Sequence, residues 1–229
     1  VTFGDSTINA FLDELGSPTP VPSGGAVSAV TAALAAGLVA MVAELSGGRP
    51  KYGPFAATTQ SGRGDWHRLA AALVKLADRD AAAFGAYMAA STMPRYTADE
   101  QAARSASLAG AARKAIEPPR LILAACVEIA TLTEQLAGRS NLSLASDLVV
   151  ASRLAESAAY SAAENVLVNL PSVADTAEAA VLEAEARRLQ RSVSRLARGA
   201  RAQIANRSVR DPEFGPHLLA VGDSNGATI

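Results

Sequence analysis

Between Gly24 and Ala43 the chain runs for twenty residues without a charged side chain, and eight of those residues are alanine. A helix of that length could span a bilayer. Its three glycines, Ser28 and Thr31 leave it short of the strong hydrophobicity of a membrane span, whereas a core helix buried on all sides has this composition. Such a helix needs neighbours on every side. The remaining sequence supplies them as helices, because hydrophobic residues make up 49% of the chain but aromatics only 4%. Alanine, leucine and valine carry the apolar content. Alanine is the best helix former and lets helix axes approach, while strands favour β-branched and aromatic residues. The expectation is an all-α protein, a compact bundle of long helices around a buried Ala/Gly-rich central helix.

Local signals set the order of these helices. Ser6 or Thr7 can cap a first helix carrying Ile8, Phe11, Leu12 and Leu15, with Gly16 ending it. Pro18, Pro20 and Pro22 force an extended segment before the central helix, which opens at Ser23-Gly24-Gly25 and runs to about Leu45. Gly47, Gly48 and Pro50 break the chain. One helical region is predicted from Thr58 to Met93, with Leu69, Leu73, Leu76, Ala77, Asp80, Phe84 and Tyr87 on one stripe. Thr97-x-x-Glu100 reads as a capping box. Pro118-Pro119 is expected to kink or break the helix it opens, with another running on to Ala137. A long helix follows over 142–168, and Asp175-x-x-Glu178 starts the last one. Beyond Asp211-Pro212 the chain turns rich in Gly, Pro and polar residues, so one domain over 1–229 with an irregular tail at 210–229 is the economical reading.

Charge and cysteine content narrow the function. The formal net charge of −1 provides no global field for nucleic acid or an anionic membrane. Eight arginines and no acid lie between Arg187 and Arg210. That stripe could track phosphates, but it lacks interleaved aromatics, and a solvated face is the expected outcome. Cys126 is the single cysteine, which excludes an internal disulfide and suits a reducing cytosol. It sits in an apolar run and reads as a packed core residue. Cys126, His67 and His217 are too far apart to form a zinc motif, so no metal is expected. Asp5, Asp13 and Glu14 interrupt the start of the chain before any apolar stretch, so no secretory signal is expected.

Four places combine polar groups with apolar surroundings. Pro20-Val21-Pro22-Ser23-Gly24-Gly25 leads directly into a helix, where free N–H groups can meet an anion or a carbonyl oxygen. Gly48-Arg49-Pro50-Lys51-Tyr52 is a cationic loop with an aromatic, suited to a carboxylate or a flat ring. Asp78 and Asp80 lie about 200° apart around a helix, so they cannot face one pocket. Asp80 stands in the apolar stripe and must be paired or functional. Finally, Asn141 precedes Ser146-Asp147, and Asp147 opens the uncharged stretch Leu148-Val149-Val150-Ala151. Burial there would raise its pKa, as suits a catalytic base, although Asn, Ser and Asp are also ordinary helix caps.

The order of these features resembles the cyclodeaminase part of formiminotransferase-cyclodeaminase and the stand-alone methenyltetrahydrofolate cyclohydrolases. The resemblance rests on Phe11-Leu12, on Pro20–Gly25 for the family's Pro-Thr-Pro-Gly-Gly-Gly, and on Gly48–Tyr52 for its Gly-Lys-Lys-Lys-Tyr. It continues with Asp80-Ala81-Ala82-Ala83-Phe84, with Asn141 to Asp147 for Gly-Asn-x-Asn-x-x-Ser-Asp, and with Ala163-Glu164-Asn165-Val166-Leu167-Val168-Asn169. Val21, Ser23, Pro50 and Ser143 depart from the family pattern.

The resemblance implies a cytoplasmic folate one-carbon enzyme. The 229 residues hold no counterpart of the formiminotransferase portion, so hydrolysis of 5,10-methenyl- to 10-formyltetrahydrofolate is the expected reaction. Formiminotetrahydrofolate cyclodeamination and non-catalytic folate binding are its alternatives. It implies Asp147 as the catalytic carboxylate, oriented by Ser146 and Asn141. Arg49 and Lys51 would meet the folate's glutamate carboxylates. Ser23, Gly24, Gly25, Asp80 and Asn165 complete the expected substrate site. No metal, nucleotide or other cofactor is called for. A homodimer or higher oligomer is expected from the apolar stripe Leu182, Leu189, Val193, Leu196, Ala200 and Ile204 beside the arginines of the last helix.

Overall fold

The computed structural model describes residues 2–64, 66–173 and 175–208. The irregular tail expected at 210–229 lies outside them. Among the described residues the regular structure is helical: α1 (Ile8–Leu15), α2 (Gly24–Ser46), α3 (Ala56–Gly64), α4 (Trp66–Ser91), α5 (Ala98–Leu136), α6 (Ala145–Asn169) and α7 (Thr176–Asn206), with short 3-10 turns between some of them.

Side-chain caps open three of these helices. The Thr7 hydroxyl accepts from Ala10 N–H and opens α1. Thr97 and Glu100 form the reciprocal box that opens α5, and Asp175 accepts from Ala177 and Glu178 N–H at the start of α7. At Ser23 the pattern differs, because its side chain makes no cap bond to its own helix.

The five long helices pack as an alternating bundle. Arg79 of α4 pairs with Glu117 of α5 at 2.9 Å, while Arg104 of α5 donates to the Ser91 carbonyl of α4, so these two helices are antiparallel. Arg113–Glu178 and Arg120–Glu185 pairs join α5 and α7 two turns apart in the same direction, which makes them parallel. α2 and α6 run antiparallel: Gly24 lies beside Asn165, and Asn141 N–H donates to the Ser46 hydroxyl at 2.8 Å.

At the centre α2 presents Ala29, Ala32, Ala35, Ala36 and Ala43 fully buried, and α6 presents Ala151, Ala155, Ala159 and Ala162. Small side chains on both surfaces let the helices close together. By length and composition α2 could cross a membrane, with a mean hydropathy of 2.2. In the bundle its alanine face packs against α4, α5 and α6. Cys126 is fully buried, and burial pushes its thiol up to about 12.

The helical region predicted from Thr58 to Met93 is helix over Ala56–Gly64 and Trp66–Ser91. Two expectations need correction. Pro118-Pro119 does not break its helix, and α5 runs through both. Both prolines are buried in the core, and the Arg79–Glu117 and Arg120–Glu185 pairs hold the helix on either side of them. Tertiary packing here outweighs the roughly 3 kcal/mol cost of an interior proline. The stripe on α7 expected to join a second copy faces inward, with Leu189, Val193, Leu196 and Ala200 buried in the same core.

The alanine contact is open to a direct test. Ala36→Leu should overpack the α2 surface and lower unfolding free energy by about 1–3 kcal/mol. Urea denaturation showing parent stability would mean that α2 has room to spare there.

Candidate active site

Asp80 lies in the second half of α4, on the stripe that otherwise enters the core, and is 9% exposed. Its carboxylate rests on the first turn of α2. The Ser23 hydroxyl donates to Oδ2 at 3.3 Å, and Ala26 N–H donates as well. Asp80 thus supplies from another helix the N-terminal acceptor that Ser23 does not supply, and the helix dipole favours negative charge there. Burial acts the other way and is the largest influence. It pushes the Asp80 carboxyl above its ordinary 3.8, with the Ser23 and Ala26 hydrogen bonds partly offsetting it.

Gly25 permits this seat. A Cβ on Gly25 would lie 2.1 Å from Oδ1 and 2.3 Å from Cγ of Asp80. The glycine is required because a carboxylate occupies the space a side chain would take.

A cleft of about 280 Å³ opens over this carboxylate, lined by Ser23, Gly24, Asp80, Phe84, Tyr87, Ala115, Asn165, Val168 and Asn169. Four helices contribute: the start of α2, the second half of α4, the middle of α5 and the end of α6. Phe84 and Tyr87 are half-buried and follow Asp80 by one and two turns. The Asn165 amide donates to the Ser161 carbonyl at 2.9 Å, and the Asn169 amide to that of Asn165 at 2.8 Å. The lining holds one acid and no lysine, arginine or histidine. It suits a flat ligand that brings positive charge or hydrogen-bond donors of its own. Among the described residues no group of three His, Cys, Asp or Glu could hold a metal ion.

The residues singled out from sequence divide into two groups. Ser23, Gly24, Asp80 and Asn165 line the cleft, and Gly25 lies beneath it. Arg49, Lys51, Asn141, Ser146 and Asp147 stand at the other end of the bundle. Asp147 and Asn165 are eighteen residues apart on α6, about 27 Å along its axis. Within one chain they cannot serve the same reacting carbon.

At that far end Asn141 caps a short turn by accepting from Ser143 N–H at 3.2 Å, and Leu142 N–H donates to the buried Tyr52 hydroxyl at 3.2 Å. The Lys51 ammonium sits 5.7 Å from the Tyr52 ring centre, and Arg49 and Lys51 are exposed. Asp147 is half-buried rather than enclosed, because the first turn of α6 lies at the rim of the bundle. Asp78, on the other side of α4, accepts from Phe3 N–H at 2.9 Å and is structural.

With the cleft described, comparison with known proteins decides the family. The formiminotransferase-cyclodeaminase family matches residues 7–188. The chain belongs to that family. It is 36% identical over 174 residues to the methenyltetrahydrofolate cyclohydrolase of Methylorubrum extorquens, covering 76% of this chain and 84% of that protein. It is 33% identical over 171 residues to the formimidoyltransferase-cyclodeaminase of Rattus norvegicus, covering 75% of this chain but 32% of the relative. The chain thus spans about a third of the length of that longer relative. The fold matches a formiminotetrahydrofolate cyclodeaminase from Thermotoga maritima with a TM-score of 0.79 at 23% identity, covering 89% of this chain and 98% of the other.

Phe84, Tyr87, Ala115, Val168 and Asn169 line the cleft without having been singled out as site residues. Phe84 and Tyr87 had a signal in sequence, since they share the Asp80 stripe. Ala115 and Val168 are ordinary aliphatic residues on helices and had none.

The seat of Asp80 gives a pH prediction. Its raised pKa means that the folded chain holds a proton the unfolded chain has already released, so this group's contribution to stability falls as pH rises from about 4 through the raised value. Asp80→Asn keeps both hydrogen-bond partners and removes the charge. Thermal unfolding should find this variant at least as stable as the parent at pH 7, with the difference shrinking as pH falls towards 4. A variant markedly less stable at pH 7 would show that the carboxylate stabilises the fold.

Proposed function

We propose that this protein is a methenyltetrahydrofolate cyclohydrolase in which Asp80, rather than Asp147, acts at the reacting carbon. The observation that carries this reading is a buried carboxylate in a cleft lined by aromatics and holding no basic side chain. The methenyl carbon between N5 and N10 is electrophilic because it shares a positive charge with both nitrogens. A lone carboxylate in low dielectric stabilises that cation more strongly than it would in water.

The steps balance with one carboxylate. Water adds to the methenyl carbon, and Asp80 takes one of its protons. The neutral adduct then breaks its carbon–N5 bond, the electron pair stays on N5, and the Asp80 acid returns the proton there. The adduct hydroxyl loses its proton to solvent as the formyl C=O forms on N10, so one proton is released overall. An aspartate whose pKa lies above the ordinary range is better placed to return a proton than a fully exposed one. The reading calls for no metal or nucleotide.

Cyclodeamination is the second reading, supported by the relatives named formimidoyltransferase-cyclodeaminase. There N10 would add to the formimino carbon and ammonia would leave, through a similar tetrahedral centre. Ammonia release from 5-formiminotetrahydrofolate, set against loss of the methenyl chromophore, separates the two. Neither reaction at catalytic amounts of protein would leave the non-catalytic folate-binding module. Asp80→Asn should lower turnover by roughly 10²–10⁴-fold, the usual contribution of a positioned acid–base group. Asp147→Asn should leave it within a few-fold of the parent. The opposite ranking would return the chemistry to the far end of the bundle.

We also propose a homodimer, formed across the outer face of α2 rather than α7. Leu34 is 58% and Leu45 45% exposed there. Leu38 and Met41 lie between them at helical spacing, and Gly37 has open space around it. A two-fold axis perpendicular to α2 would pack the two copies antiparallel. The Arg49–Lys51 loop of one copy would then approach the cleft of the other and could hold the glutamate carboxylates of its folate. Mixing Asp80→Asn protein with an Arg49→Ala/Lys51→Ala variant, each inactive alone, should restore about a quarter of parent activity after subunit exchange, since half the dimers carry one intact site. No recovery in a demonstrably exchanged dimer would place each whole site within one chain.

A further inference from the structure

Pro118 and Pro119 sit inside α5, and neither has a backbone N–H. The Ala115 carbonyl is three residues before the first and four before the second. It therefore lacks its α-helical donor and the 3-10 donor that could replace it. The Pro119 ring also crowds this carbonyl, the i−4 oxygen of an interior proline. Ala115 is half-buried and lines the cleft over Asp80. A polar backbone group in such a place needs a partner.

The Ser23 hydroxyl donates to Asp80, and one N–H each of the Asn165 and Asn169 amides donates to the Ser161 and Asn165 carbonyls. Within the cleft lining Asp80 is the one carboxylate, and Ala115 is the residue whose carbonyl its own helix leaves without a donor.

We propose that the paired prolines make the Ala115 carbonyl a substrate-binding acceptor, which takes an N–H of the bound heterocycle. The inference rests on the folate reading and adds a requirement to it. The ring must enter with an N–H-bearing edge towards α5, and analogues methylated at that nitrogen must bind less well. A double proline in the middle of a helix is here a means of turning one main-chain oxygen towards a ligand.

Pro119→Ala returns an amide to the helix and gives the Ala115 carbonyl its ordinary donor. Pro118→Ala returns an amide that bonds the Lys114 carbonyl in α geometry and could reach the Ala115 carbonyl only in the poorer 3-10 geometry, so its effect should be the smaller of the two. With 5-formyltetrahydrofolate as the probe in calorimetry, Pro119→Ala should weaken binding about five- to tenfold, the worth of one hydrogen bond. Pro118→Ala should stay within about twofold of the parent on the same scale.

A second readout follows the carbonyl itself. Ala115–Ile116 is the only Ala–Ile step in the sequence. Carbonyl-¹³C alanine with ¹⁵N isoleucine therefore isolates this one carbonyl by NMR, and its resonance should move downfield when the probe saturates the parent. Parent binding with no such movement, or with equal affinity in Pro119→Ala, overturns the inference alone. No binding of the probe to the parent overturns the folate reading, and the inference with it.

Discussion

Antiparallel contact between α2 and α6 runs through alanines on both helices, and it sets the distances in the rest of the bundle. Larger side chains on either face would hold the axes apart, and α4 and α5 could not close over the start of α2. With the axes close, the first turn of α2 comes within reach of Asp80 from α4 and of Asn165 from α6. The cleft follows from how tightly two plain helices pack.

At that junction a stability cost and a chemical use coincide. Asp80 is seated where a Gly25 side chain would otherwise stand, satisfied by Ser23 and Ala26 but short of the solvation a carboxylate has in water. A structural cap alone could have come from Ser23, which is placed for it and turns its hydroxyl to Asp80 instead. The buried charge gains a use when a ligand brings a positive centre into the same low dielectric. The absence of basic residues from the cleft lining fits that arrangement, because a neighbouring arginine would compete with the ligand for the carboxylate.

Much of the local structure was legible in the chain itself. The Thr97–Glu100 box, the Asp175 cap and the start of α2 at Ser23-Gly24 follow from side-chain chemistry within a few residues. Asp80 also stood out, since a carboxylate in an apolar stripe must be buried. Asp147 misled for a related reason. The apolar run Leu148–Ala151 that follows it leads into a helix buried in its middle, yet sequence does not say that its first turn lies at the rim. Pro118-Pro119 read as a kink or a break, and the packing that carries α5 through them comes from helices distant in sequence.

By itself, then, the sequence determined that this protein is helical, where most helices begin and which family it belongs to. Those properties depend on propensity, capping and motif order, and they act over one or two turns or survive as a pattern. Tertiary structure decided which of the polar residues meet. Arg49, Lys51 and Asp147 belong to the same family pattern as Ser23, Asp80 and Asn165, but helices of 23 to 26 residues hold the two groups at opposite ends of the bundle. It also decided that Ala115 faces the cleft, since an alanine has no side-chain chemistry and its carbonyl gained a role only when α5 was packed beside Asp80.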